Sequence, residues 1–61
     1  MHPTLTLSGL EAVYDCLAET LDQAPPEKAE LLLVKLALLL GQDLGDADRF
    51  SVLSQAALQD L

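Results

Sequence analysis

Glu11, Asp15, Glu19 and Asp22 follow one another at intervals of four, four and three residues, with no basic side chain between them. On a helix that spacing gathers four carboxylates on one side. Such a row can ligate a metal ion or dock a basic partner. Like charges four apart also weaken a helix, by a few tenths of a kcal/mol per pair. A carboxylate di-metal site of the helical-bundle kind needs a histidine three positions after a glutamate. The only histidine, His2, lies outside every candidate helix. The row is therefore read as a solvated face, with docking of a basic partner as its functional alternative, and no metal is expected.

Two further side chains invite chemistry. Cys16 is the single cysteine; no histidine is placed to activate it, so it reads as a small thiol tucked beside Leu17. Lys35 interrupts a run of leucines. A buried lysine with a lowered pKa can be catalytic. A lone lysine in such a run more often lays its stem over leucine and holds its ammonium in water. In a symmetric dimer it can also face a helix-one carboxylate of the other subunit. No nucleophile–base pair, phosphate-binding loop or ligand cluster can be assembled from these residues, so neither an enzyme nor a cofactor is expected.

The elements that carry these residues are helical. Ser8-Gly9-Leu10-Glu11 has the spacing of a capping box. Leu10, Tyr14, Leu17, Leu21 and Ala24, with Val13 alongside, then make one apolar stripe, which predicts a helix over 8–24. Pro25-Pro26 ends it. A second helix is predicted over 26–44, with Glu27 and Glu30 in its first turn and Gly45 favoured over Gly41 as its stop. The short turn predicts an antiparallel hairpin of these two helices. Asp46 and Asp48 are candidate caps for a third, shorter helix over 47–60, carrying a stripe of Phe50, Leu53, Ala57 and Leu61. Residues 1–7 read as extended or loose. The expected class is all-α, a single small domain.

Within the second helix, residues 31–40 read LLLVKLALLL. Leu33, Leu36, Ala37, Leu40 and Leu44 share one face, while Lys28, Lys35 and Gln42 recur every seven residues on the opposite one. Leu31, Leu32, Val34, Leu38 and Leu39 fill the flanks. A helix apolar nearly all round must be surrounded by other protein or by lipid. Spanning a bilayer takes about 20 apolar residues, and Lys35 bisects this tract. Protein is left.

Size sharpens that. The chain has 61 residues, ten acids against three bases and a formal net charge of −7. A domain of roughly 60 residues buries only about 60% of its unfolded surface, and chains below roughly 70–80 residues commonly need staples or oligomerisation. One cysteine makes no disulfide within a monomer. The acidity keeps a half-apolar chain in solution and disfavours nucleic acid. Helix two, Gly45 and helix three have the outline of a helix-turn-helix, but Asp46 and Asp48 stand where phosphates would approach. A carrier-protein reading fails for want of the Asp-Ser-Leu triplet. No signal peptide is apparent in MHPTLTLSG, and the lone thiol suits a reducing compartment; a cytoplasmic protein is expected.

The run KLALLLGQDLGD, residues 35–46, resembles the core of a group of short proteobacterial proteins known as domain of unknown function twenty-seven eighty-three. Those read as a basic residue, a leucine-rich tract, a small residue, an amide and then an aliphatic residue before Gly-Asp. Val13-Tyr14-Asp15 followed by Ala18 is similar to that group's aromatic-led first helix, with Gln23 where a histidine often stands. The resemblance spans about residues 10–60 and implies a small bacterial helical protein with no assigned activity.

Two expectations follow. The first is a homo-oligomer, a dimer above all, formed through Leu31, Leu32, Lys35, Leu38 and Leu39, with Leu33, Leu36 and Leu40 in the core of each chain. The second is an accessory subunit or regulator of a larger bacterial enzyme, bound through the same leucines.

Overall fold

A computed structural model describes residues 4–61. Three helices form, α1 (Leu7–Gln23), α2 (Ala29–Leu44) and α3 (Ala47–Leu58), with a 3-10 turn at Pro26–Lys28 and no strand among the described residues. The class is all-α. The expectations for His2 and the rest of residues 1–3 lie outside the described residues; 4–6 lead straight into α1.

Each boundary has a local cause. α1 begins one residue before the expected start, because Thr6 and not Ser8 is its cap. Thr6 is extended (φ −68°, ψ 167°), and its side chain accepts a hydrogen bond from the Gly9 N–H at 3.0 Å. Ser8 sits inside the helix, its hydroxyl 3.3 Å from that of Thr6. The third helical position is then Gly9, which has no side chain to return the bond, so the expected capping box does not form. At the other end Ala24 (φ −93°, ψ 144°) and Pro25 (φ −57°, ψ 142°) are both extended. Each precedes a proline, and the proline ring crowds helical geometry out of the residue before it. Pro26 opens the 3-10 turn, where its missing N–H costs nothing. Gly45 closes α2 in the left-handed region, φ 70°, its N–H donating to the Gly41 carbonyl at 3.0 Å. Asp46 then caps α3, accepting from the Arg49 N–H at 2.9 Å.

The tertiary arrangement departs from expectation. No two described residues twelve or more apart in sequence bring their Cα atoms within 8 Å of one another, so α1 and α2 do not close into a packed antiparallel hairpin. The expected core is likewise absent: Leu33 is 43% and Leu40 58% exposed, Leu36 is half-buried, and no described residue is fully buried. The physical reason lies in the linker, where two successive extended residues hold the end of α1 away from α2. The radius of gyration, 12.9 Å, exceeds the roughly 10.5 Å of a compact chain this long. Among the described residues the side-chain hydrogen bonds all join residues two to four positions apart. They define helices and turns and tie no helix to another. α2 and α3 do meet, where the Phe50 ring lies over Gly41.

Candidate interaction surface

Apolar surfaces face outward on all three helices. The first is a groove between α2 and α3, lined by Ala37, Leu40, Leu44, Phe50, Leu53 and Ala57, with Asp43 and Arg49 also on its walls. These are the residues that sequence spacing assigns to the inner stripes of helices two and three. The structure brings the two stripes together on one side only, around an open groove. Closing it would take a third helix.

The second surface is the flank of α2. Leu31, Leu38, Leu39 and Lys35 are exposed, Leu38 by 67% and Leu39 by 64%, while Leu32 is half-buried. These five do not form one patch. At about 100° per residue, Leu31 and Leu38 fall to one side of Lys35 and Leu32 and Leu39 to the other. On the first side Val34, also exposed, completes a row at positions 31, 34 and 38, the three-then-four spacing with which one helix packs on another. Val34 was not among the expected contact residues. Its signal in the sequence was present but was hidden by the abundance of leucine around it.

α1 presents a complementary face. Leu10, Val13 and Tyr14 of its apolar stripe are exposed, and Leu17 and Leu21 are half-buried. Glu11, Asp15, Glu19 and Asp22 are all exposed beside them. Cys16 is exposed as well, against the expectation of a tucked thiol, because no other helix packs on that part of α1. Among the described residues no three His, Cys, Asp or Glu side chains cluster so as to hold a metal ion. No helix among them is long and apolar enough to cross a membrane.

The chain exposes 5592 Å², where a compact folded monomer of this length exposes about 3,800 Å². The excess, about 1,800 Å², is more than twice the roughly 800 Å² that one partner contributes to a standard protein–protein interface.

Comparison with known family models, characterised proteins and solved structures gives no match.

Proposed function

We propose that this chain is a non-catalytic helical protein that works by association along α2, first of all with copies of itself as a dimer. The observation that carries this reading is the exposure of Leu31, Val34, Leu38 and Leu39 around a polar row one residue wide. Burying a leucine fully contributes about 1.5–3 kcal/mol, so a few of them per subunit decide whether the helices are stable. The cytoplasm is the compartment we assign, and the likeness of residues 35–46 to a proteobacterial family of small helical proteins belongs to the same proposal.

A second reading, an accessory subunit of a larger bacterial enzyme or a regulator, is favoured by the exposed carboxylate row of α1, which would steer a basic partner toward the leucines. Sedimentation of the purified chain separates the two. A stable symmetric oligomer at micromolar concentration supports self-association. Aggregation or loosely packed character supports the accessory role. A fully folded monomer there would refute the first reading.

A further inference from the structure

We infer that the occupant of the Leu31–Val34–Leu38 flank is α1 of a second copy, exchanged reciprocally, so that each chain's α1 lies antiparallel on the other's α2. This rests on the proposed self-association and specifies its geometry.

Charge placement supports the pairing. Asp15 and Asp22 are seven residues apart, as are Lys28 and Lys35, an equal rise of about 10.5 Å on each helix. Set antiparallel, Asp15 meets Lys35 while Asp22 meets Lys28. The faces agree as well. On α1 the acids lie roughly a third of a turn round from the Leu10–Tyr14–Leu17–Leu21 stripe. On α2 the lysines lie about a quarter turn round from Leu31, Val34 and Leu38, in the same sense. In an antiparallel pair, positions displaced in the same sense from the contact line lie on the same side of the pair, so the acids and the lysines share one side when the apolar rows meet. Pairing α2 with α2 through the polar row would instead set lysine against lysine.

A closed hairpin would offer the same register within one chain. The structure does not close it: Ala24 and Pro25 are both extended, and no two described residues twelve or more apart bring their Cα atoms within 8 Å. An element held off its own chain but complementary to it is the arrangement that exchanges between copies. Area agrees. A single shared patch would take about 800 Å² from each chain and leave more than half of the excess surface uncovered. Reciprocal exchange makes two patches, since each chain both gives α1 and receives one, and accounts for nearly all of it.

The test uses the full chain and two charge-reversed variants, Asp15→Lys/Asp22→Lys and Lys28→Glu/Lys35→Glu, followed by analytical ultracentrifugation. Each variant alone should dimerise roughly tenfold more weakly than the unmodified chain. A one-to-one mixture should recover an affinity within about threefold of it, because both exchanged pairs are again opposite in charge. A nitroxide on Cys16 of one chain should broaden amide signals of 31–38 in a ¹⁵N-labelled Cys16→Ser chain mixed with it. Unaltered dimerisation of Asp15→Lys/Asp22→Lys overturns the exchange and leaves association through α2 standing. A mixture as weak as its components, or unbroadened 31–38 signals in the labelled chain, also overturns the exchange. A monomeric unmodified chain removes both proposals.

Discussion

The ring of Phe50 rests on the backbone of Gly41: a Cβ placed on that glycine would lie 3.2 Å from Cδ2 and 3.3 Å from Cε2 of the phenylalanine. This is the seat of α3 on α2, and two effects oppose each other there. Alanine is better than glycine in a helix interior by about 1 kcal/mol, while a methyl group requires the ring to give by a few tenths of an ångström. Phe50 is half-buried and borders an open groove, so it has room to tilt. Gly41→Ala should raise helicity and the melting temperature, with a net gain of about 0.5 kcal/mol. Gly41→Leu should displace the ring and free α3, visible as loss of nuclear Overhauser contacts between Phe50 and residues of α2.

Leu38→Glu places a carboxylate in the middle of the exposed row of α2. Loss of a buried leucine contact, worth about 1.5–3 kcal/mol, should weaken dimerisation at least tenfold by sedimentation. Glu19→Gln, on the acid row but outside the Asp15–Lys35 and Asp22–Lys28 pairs, should leave it within about twofold.

Caps give a second, independent contrast. Thr6→Ala and Asp46→Ala remove side chains that accept from the Gly9 and Arg49 N–H groups; each should cost about 1 kcal/mol in helix stability. Ser8→Ala, at the serine of the apparent capping box, should change stability by less than about 0.5 kcal/mol. Thermal unfolding followed by circular dichroism distinguishes these outcomes.

The prolines are predicted to keep α1 and α2 two separate helices. Pro25→Ala with Pro26→Ala releases Ala24 and residue 25 for helical geometry. The variant should gain helicity by circular dichroism as α1 runs on into α2. Small-angle scattering of the monomer should give a radius of gyration above 12.9 Å.

Local structure was readable from the sequence where one residue's chemistry settles it. Gly45 is such a case, since only glycine takes φ 70° without cost. Asp46 before the Phe50–Leu53–Ala57 stripe is another. The cap of α1 is not legible in this way, because Ser8 and Glu11 have the right spacing for a capping box and spacing does not reveal that the cap lies two residues earlier, at Thr6. Tertiary structure was harder. Hydropathy spacing identifies Leu33 and Leu40 as belonging to an inner face, but it does not say whether a partner helix reaches that face. Pro25-Pro26 reads from the sequence as a stop and a short turn, which predicts a hairpin, whereas in the structure Ala24 and Pro25 are both extended and α1 does not close on α2.

Because every side-chain hydrogen bond among the described residues spans four residues or fewer and no Cα approach among them spans twelve, each helix must form almost alone. Isolated helices of 12 to 17 residues form within about a microsecond and are marginal in water. Under the proposed self-association their persistence follows mass action: dilution would melt them and an excess of partner would preserve them. In a cell, the lifetime of such a chain against proteases would then track its own abundance, so that synthesis rate would set how much of it is folded.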